Sequence, residues 1–279
     1  MNLIDLIVCR IKMKKTIFIF GEGELPKLIL NNRFYEKDDI FIISFKKPKS
    51  SFGFKFKVIN IGKVVTELKY LKKNGFNNIL MAGSINRPTI NQIKPDLNSL
   101  RLLPSFTKIL FQGGDDKLLR FIISEIEKLG LNVLSLTKFC PELFLGNGLQ
   151  TKKRIDKTFF YDISKGKLIL KSISKFDIGQ SIVLQNGSVI GIEAAQGTDK
   201  LIKQSFPYLK DIKKGILIKI IKNKQDLRAD LPTIGLNTVK NCKKYGIEGI
   251  AYSANRTVIV NKEVVLRYCN ENQIFLYGV

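Results

Sequence analysis

The sequence of 279 residues contains no histidine and no tryptophan. Without an imidazole, the chain cannot form a Ser-His-Asp triad, a histidine-ligated zinc or iron site, or a histidine general acid or base. Its four cysteines, Cys9, Cys140, Cys242 and Cys269, are far apart and form no CxxC pair. This spacing argues against a zinc ribbon, an iron–sulfur cluster and a dense disulfide framework. We therefore expect buried, unreactive thiols in a reducing cytosol.

Acidic residues are also scarce, with 24 Asp and Glu against 47 Lys and Arg, a formal net charge of +23. Such an excess suggests an anionic partner, either nucleic acid or a membrane surface. Only 9 of the basic residues are arginine, however, and the chain is rich in Ile and Asn. Lys, Ile and Asn are all encoded by A/T-rich codons, so a nucleotide bias of the genome explains much of the lysine excess without any function. Because the sequence has no basic block and no recognisable nucleic-acid motif, we do not expect a nucleic-acid partner.

No stretch of the sequence approaches the roughly 20 consecutive apolar residues that a membrane-spanning helix needs. Residues 1–12 are apolar, but they include Asp5 and lack a small-residue cleavage site, so they make a poor signal peptide. We interpret them as an upstream extension or a weak helix, with Met13 as the natural start.

Short apolar runs alternate with amphipathic segments, which predicts an α/β fold. Residues 13–145 are typical of a Rossmann-like N-terminal domain with a parallel sheet. Residues 146–153 contain two glycines among polar residues and are interpreted as a linker. Residues 154–279 are expected to form a mixed α/β C-terminal domain, the candidate catalytic domain, in which Asn186-Gly187 predicts a hairpin turn.

Two glycine-containing turns in the first half are candidates for binding phosphate. Gly21-Glu-Gly23 follows the first predicted strand and forms half of a dinucleotide fingerprint, although the third glycine is absent and Leu25-Pro26 follows. Gly83-Ser-Ile-Asn-Arg87 follows another strand, and an arginine there suits a phosphate or pyrophosphate. The alternatives are a tight structural turn and a solvated loop arginine.

Several of the scarce carboxylates stand beside glycines or arginines. Asp115 and Asp116 follow Gly114 at the start of a predicted helix, where they either cap the helix or bind a divalent cation. The same pattern recurs near strand ends in the second half, at Asp177, Glu193, Asp199 and Asp226. Hard oxygen ligands suit Mg²⁺, which takes one or two carboxylates and shares the phosphates of a substrate. Without histidine, phosphate hydrolysis would rely on such a metal, a carboxylate acting on water, and a cationic side chain.

Six motifs occur in collinear order from Met13 onward. They are Gly21-x-Gly23-x-Leu25-Pro26, Gly83-x-x-x-Arg87-Pro88, Gly114-Asp115-Asp116-x-Leu-Leu-Arg120, Asp177-x-Gly179-Gln180, Glu193-Ala-Ala-x-Gly197-Thr198-Asp199 and Lys222-x-x-Gln225-Asp226-x-Arg228-x-Asp230-Leu-Pro232-x-x-Gly235. Together they resemble the LpxI-type UDP-2,3-diacylglucosamine pyrophosphatases of lipid A biosynthesis. The resemblance covers nearly the whole chain, and it implies a Rossmann-like N-terminal domain and a C-terminal domain of a fold particular to the family.

The resemblance implies Mg²⁺-dependent hydrolysis, with Mn²⁺ as an alternative ion, by attack of water on the α-phosphate of the UDP-sugar lipid. The products would be UMP and 2,3-diacylglucosamine 1-phosphate. The key catalytic carboxylate falls on Asp226, and Arg228 would bind phosphate beside it. Metal ligands are expected among Asp226, Asp199, Asp177 and Glu193. Substrate-binding residues are expected to be Gly21, Gly23, Leu25, Pro26, Gly83, Arg87, Gly114, Asp115, Asp116, Gln180, Thr198 and Gln225.

The sequence departs from the family pattern at two positions. Gln196 stands where the family often has glutamate, and Asn223 replaces a usual proline. A less specific UDP-sugar hydrolase and a non-catalytic nucleotide- or nucleic-acid-binding protein are the alternative functions. We also expect a homodimer and attraction of this basic chain to the anionic cytoplasmic face of the inner membrane, where a lipid substrate would reside.

Overall fold

The computed structural model describes residues 15–31, 36–47, 53–112, 114–210, 215–223, 225–228 and 230–279. The predictions for residues 1–12, for Met13 and for Cys9 lie outside these ranges. The described residues form two compact units. The first contains the residues up to Phe139 together with Asp226–Asp230, and the second contains Cys140–Gln225 and Leu231–Val279.

The first unit contains a five-stranded parallel sheet in the order β3-β2-β1-β4-β5. Its strands are β1 (Thr16–Phe20), β2 (Ile40–Ser44), β3 (Lys55–Val58), β4 (Asn78–Ala82) and β5 (Asn132–Val133). The central strand β1 is buried along its whole length, because a parallel strand covered on both faces needs a continuous apolar run. This sheet confirms the predicted Rossmann-like fold of the N-terminal half.

Helices of the first unit cover this sheet. They are α1 (Leu25–Leu30), α2 (Val64–Lys73), α3 (Leu97–Leu100), α4 (Leu103–Gln112), α5 (Asp115–Lys128) and α6 (Leu136–Phe139). Apolar side chains of α2 and α5 pack against β1, β2 and β4. The sequence predicts one helix from Leu97 to Phe111, but the structure has two. Pro104 explains the break, since it cannot donate a backbone hydrogen bond and is accommodated only in the first turn of α4.

The second unit contains a six-stranded mixed sheet in the order β6-β13-β11-β9-β7-β8. Strands β9, β11 and β13 are parallel, whereas β6, β7 and β8 are joined by antiparallel pairings. The strands are β6 (Gly148–Leu149), β7 (Ser181–Gln185), β8 (Ser188–Ile192), β9 (Gly215–Lys219), β11 (Ile247–Tyr252) and β13 (Phe275–Gly278), with a separate parallel pair of β10 (Thr233–Ile234) and β12 (Val258–Ile259). The mixed order confirms the expected α/β class.

Helices of the second unit are α7 (Thr158–Ile173), α8 (Thr198–Ser205), α9 (Leu236–Lys244) and α10 (Lys262–Glu271). The hairpin between β7 and β8 turns at Asn186-Gly187, both with positive φ, as predicted. Asp162 of α7 accepts a hydrogen bond from the Gly187 amide at 2.6 Å. Burial raises the pKa of this carboxyl group, although the turn amides oppose the shift.

Two further sequence expectations bear on the second unit. Residues 146–153, interpreted as a linker, include strand β6, and the Tyr252 hydroxyl donates to the Gly146 carbonyl at 3.1 Å. Cys140, Cys242 and Cys269 are buried and reduced, as predicted. Burial raises the pKa of the Cys269 thiol to about 12. Within the described ranges, no helix has the length and apolar character needed to cross a membrane.

The close approach of Gly249 to Phe275 generates a stability prediction. These residues pair across β11 and β13, and a Cβ at position 249 would lie 2.3 Å from the Phe275 ring. Gly249→Ala therefore overpacks a fully buried site and should lower the free energy of unfolding by about 1–3 kcal/mol, measured by urea denaturation. Gly146→Ala is the matched control, because its Cβ would enter open space. Equal denaturation midpoints for the two variants would contradict this packing.

Candidate active site

Two glycine motifs of the first unit meet at one edge of its sheet. They follow the adjacent strands β1 and β4, at the point where the strand order reverses, the usual ligand-binding position in such sheets. The Glu22 amide donates to the Ser84 carbonyl at 2.7 Å, and the Ser84 amide donates back to Glu22 at 2.9 Å. These reciprocal bonds join the two turns into one small structure.

Glycine is required here by the close approach of the two backbones. A Cβ at Gly21 would lie 2.2 Å from the Ser84 carbonyl oxygen, and a Cβ at Gly83 would lie 2.8 Å from the Glu22 carbonyl oxygen. Gly23 and Gly83 also have positive φ. The half fingerprint is therefore explained by the packing of the turns themselves, whatever ligand they bind.

A cavity of about 640 Å³ opens beside these turns. Gly21, Gly23, Pro26, Ser44 and Lys46 are among the residues that line it. Ser44 ends β2 and is buried, and its hydroxyl has no hydrogen-bond partner among the described residues. The cavity thus presents a buried hydroxyl and the ammonium of Lys46, which is paired with the carboxylate of Glu22 in the same lining. Hydrogen-bonding groups of this kind suit a nucleotide. Leu25, another predicted substrate contact, is the first residue of α1.

Arg87 lies in the loop after β4, but its guanidinium contacts protein groups. It donates to the Leu110 carbonyl at 2.8 Å and to the Ile109 carbonyl at 3.3 Å, near the end of α4. It also approaches Asp115 at 3.4 Å. These contacts give Arg87 a structural role in joining the loop to α4 and α5, and phosphate binding by Arg87 stays a prediction.

The adjacent carboxylates Asp115 and Asp116 occupy the first turn of α5, after the N-cap residue Gly114. Negative charge is favourable there, because the unpaired amides carry the positive end of the helix dipole. Asp116 pairs with Arg120 at 2.8 Å, one turn along the helix. These positions support the helix-capping alternative, while leaving their predicted role in substrate binding open.

Asp226 and Arg228 form a bidentate ion pair within the first unit. The Arg228 Nε donates to Asp226 Oδ1 at 2.9 Å, and its Nη2 donates to Oδ2 at 2.7 Å. The third contact of the guanidinium is with Glu127 of α5. Hydrogen bonds from Arg228 lower the pKa of Asp226, and the charge of Arg120 contributes. The Arg228 backbone amide also donates to Oδ1 at 3.0 Å. Asp226 is therefore an ionised carboxylate of fixed orientation, with one lone pair of Oδ2 left to accept from water or to bind a metal.

Glu193, Thr198 and Lys219 form a buried polar chain in the second unit. The Lys219 ammonium donates to the Thr198 hydroxyl at 2.8 Å, and that hydroxyl donates to Glu193 Oε1 at 2.6 Å. The Gln180 amide donates to the other carboxylate oxygen at 3.0 Å. Burial alone would raise the pKa of Glu193, but the Lys219 charge and these hydrogen bonds outweigh it and lower the pKa.

A second cluster of polar side chains in this unit forms around Lys222. Its ammonium donates to Asp177 at 2.6 Å, and its backbone amide donates to the buried side chain of Gln225 at 3.0 Å. Gly179 allows Gln180 to reach Glu193, since a Cβ at Gly179 would lie 2.1 Å from the Glu193 carbonyl oxygen. The predicted residues Asp177, Gln180 and Gln225 are thus all held by neighbouring groups.

The four predicted metal ligands have protein partners in this structure. Asp226 binds Arg228, Asp177 binds Lys222, and Asp199 accepts from Thr238 at 3.0 Å, while Glu193 belongs to the Lys219 chain. No three acidic or cysteine side chains in the described part of the chain gather as a metal site. A Mg²⁺ site here would accordingly use few carboxylates.

Sequence reasoning missed Lys219, Glu127 and Ser44 as functional candidates. Lys219 ends the otherwise apolar run of β9, and a lysine at the end of a buried strand was a usable signal. Arg120 lies four residues after Asp116 and seven residues before Glu127, so the three side chains share a helical face. Ser44 gave no signal, because a lone serine after an apolar strand is common.

The two departures from the family pattern have local partners. Gln196 accepts from the Ala194 amide at 2.9 Å and donates to the Ile192 carbonyl at 3.1 Å, a donation that glutamate could not make when ionised. Asn223 donates to the Lys171 carbonyl at 3.3 Å. Gln196 therefore supports the turn in which it stands, and Asn223 contacts the last turn of helix α7.

Comparison with other proteins gives matches over both halves of the chain. Residues 15–143 match the LpxI N-terminal domain, and residues 146–277 match the LpxI C-terminal domain. The UDP-2,3-diacylglucosamine pyrophosphatase LpxI of Caulobacter vibrioides is 31% identical over 227 residues, which cover 79% of this chain and 81% of that protein.

The buried Glu193–Lys219 pair predicts a pH-dependent stability. Glu193→Gln should lower the free energy of unfolding by roughly 3 kcal/mol at pH 7, because it removes a carboxylate charge that acts on the buried ammonium of Lys219. The folded pKa of Glu193 lies below its ordinary value of 4.5, so the contribution is complete above that pH and is lost as the pH falls through the folded pKa. Urea denaturation midpoints of the wild type and variant should converge on acidification. The control is Glu263→Gln, because Glu263 is exposed. A difference between the midpoints of the wild type and Glu193→Gln that persists or widens in acid would contradict the stabilising role of the Glu193 carboxylate.

Proposed function

This chain belongs to the LpxI family, and from that premise we propose that it hydrolyses UDP-2,3-diacylglucosamine to UMP and 2,3-diacylglucosamine 1-phosphate in lipid A biosynthesis. The family match over both halves carries the proposal. The paired Asp226 and Arg228 support it, since phosphoanhydride hydrolysis in a chain without histidine needs a carboxylate and a cation close together.

Asp226 is proposed to orient the attacking water and accept its proton. The ion pair with Arg228 keeps the carboxylate charged and fixes both oxygens, so that one remaining lone pair can be directed at a water. Arg228 itself supplies positive charge beside the reacting phosphate. Both effects stabilise the charge that develops as water attacks the α-phosphorus and the sugar 1-phosphate leaves.

The cavity beside Gly21 and Gly23 is the proposed site for the UDP portion of the substrate. Its glycine backbones permit close approach of a phosphate, and Lys46, now paired with Glu22, is the cation proposed to contact that phosphate. The buried Ser44 hydroxyl could receive a hydrogen bond from, or donate one to, a polar group of the nucleotide. A site that forms a hydrogen bond with a polar group of its ligand discriminates against analogues that lack this group.

We also propose that the reaction requires Mg²⁺, with Asp226 and the carboxylates Asp177, Asp199 and Glu193 as the candidate ligands. The donor chemistry fits, since carboxylates are hard oxygen ligands and Mg²⁺ keeps several waters and shares substrate phosphates. When bound, Mg²⁺ would polarise the phosphoryl oxygens.

The proposed place of the reaction is the cytoplasmic face of the inner membrane. The substrate carries two acyl chains, and each suitably placed lysine or arginine adds about 1 kcal/mol of attraction to an anionic surface. A homodimer is the proposed oligomeric state on general grounds of frequency, and light scattering tests it directly.

Replacement of Asp226 tests the catalytic assignment. Asp226→Asn should reduce UMP release from the lipid substrate by about 10²–10⁴-fold, because the amide cannot accept the proton of the attacking water. Asp38→Asn is the matched control, an exposed carboxylate paired with Lys55. The assignment is wrong if folded Asp226→Asn, with an unchanged thermal midpoint, keeps most of the wild-type rate.

Removal of divalent ions tests the metal proposal. Excess EDTA should abolish UMP release, and added MgCl₂ should restore it, since the developing charge would otherwise lack its main neutralising group. MnCl₂ is the comparison ion. Full turnover in excess EDTA would exclude the Mg²⁺ requirement while leaving the hydrolase proposal intact.

A further inference from the structure

The exposed side of helix α7 carries an unusual combination of apolar and basic residues. Its buried side contains Phe159, Ile163, Gly166 and Leu170, which pack on the second sheet at helical spacing. On the opposite side, Tyr161 and Leu168 stand seven residues apart and are 65% and 68% exposed. Phe176, in the 3₁₀ turn that follows, is 66% exposed.

Positive charge surrounds these apolar groups. Residues 157–178 contain Lys157, Lys165, Lys167, Lys171 and Lys175 but only two acidic residues. Asp162 is buried under the β7–β8 hairpin, and Asp177 is paired with Lys222. Lys171 lies three residues after Leu168 and shares its face of the helix. Lys175 stands in the 3₁₀ turn that follows, with its ammonium 4.9 Å from the centre of the Phe176 ring. In the described part of the chain, no acidic side chain forms an ion pair with either lysine.

We propose that this surface, the α7 face defined by Tyr161, Leu168, Lys171, Lys175 and Phe176, docks onto an anionic lipid bilayer. The proposal rests on the lipid substrate proposed above. Helices that lie in a membrane interface combine lysines on their polar margin with exposed aromatic and leucine side chains, as this face does. The lysines would contact anionic headgroups, and Leu168 and Tyr161 would enter the boundary between headgroups and acyl chains.

Charge argues against a second copy of the chain as the partner. Two α7 faces in contact would bring lysines against lysines without acidic residues to compensate them. Nucleic acid would satisfy the lysines but would leave Leu168 without an apolar environment. An anionic bilayer provides both negative charge for the lysines and an apolar environment for Leu168.

The α7 face also ends beside one of the polar groups proposed for the site. Phe176 and Ile178, both exposed, flank Asp177 in the chain, and Asp177 binds Lys222. Asp177 itself has positive φ, which turns the chain at this point. Within the second unit, an apolar surface thus leads directly to a proposed Mg²⁺ ligand, a useful arrangement for an enzyme that takes its substrate from a membrane.

Co-sedimentation with vesicles tests the proposal. The wild-type protein should bind vesicles of phosphatidylglycerol and phosphatidylethanolamine and bind phosphatidylcholine vesicles weakly. Leu168→Ser should reduce the partition coefficient about tenfold by removing apolar insertion. The double variant Lys171→Glu with Lys175→Glu should reduce it at least about fivefold for each lysine removed.

Leu97→Ser is the matched control, because Leu97 is 88% exposed on the first unit, away from α7 in the sequence. The α7 face is supported if this control binds as the wild type does. The proposal fails if the wild type does not bind the anionic vesicles, or if Leu97→Ser loses as much binding as Leu168→Ser. It also fails if only the lysine variant loses binding, because that result is expected of a surface that binds polyanions such as RNA by charge alone.

Activity separates this proposal from the proposed function. Leu168→Ser should release UMP at the wild-type rate from substrate in detergent micelles and more slowly from substrate in vesicles, because only the second depends on docking. A wild type that releases UMP from neither would overturn the proposed function, and vesicle binding would still decide whether the α7 face docks. Equal losses in micelles and vesicles would show that Leu168 acts on the fold, and would overturn the docking role.

Discussion

The bidentate ion pair between Arg228 and Asp226 is the interaction on which the proposed chemistry depends. In a chain with 47 basic and 24 acidic side chains and no histidine, we propose that a charged carboxylate of fixed orientation does the work that an imidazole does elsewhere. Arg228 supplies the orientation through its planar fork, and its contact with Glu127 fixes the fork to helix α5. Lysine could provide the charge but not two parallel hydrogen bonds.

A steric constraint organises the two glycine turns of the first unit. The turns after β1 and β4 approach so closely that glycine is required at Gly21 and Gly83, and their reciprocal backbone bonds leave a cavity beside them. The parallel sheet makes this possible, because the carboxyl ends of adjacent strands necessarily meet at one edge. The nucleotide site proposed here follows from backbone geometry, with Lys46 and Ser44 among the polar side chains that line it.

The sequence predicted the architecture better than the contacts of individual side chains. Continuous apolar runs such as Thr16–Phe20 indicate buried parallel strands, and Asn186-Gly187 indicates its hairpin, because these signals are local. Arg87 could not be placed in this way, since its partners, the carbonyls at the end of α4, lie more than 20 residues away. The contacts of Lys219 likewise could not be predicted, because only the fold brings it to Thr198 and Glu193. Long-range pairing of charged groups is the information that local spacing lacks.

If a water positioned by Asp226 attacks the α-phosphorus, the oxygen of that water must end in UMP. Hydrolysis of UDP-2,3-diacylglucosamine in ¹⁸O-labelled water, followed by mass spectrometry of both products, tests this directly. The label is predicted in the phosphate of UMP, with none in the 2,3-diacylglucosamine 1-phosphate. Label in the sugar phosphate instead would mean attack at the other phosphorus and would contradict the proposed mechanism.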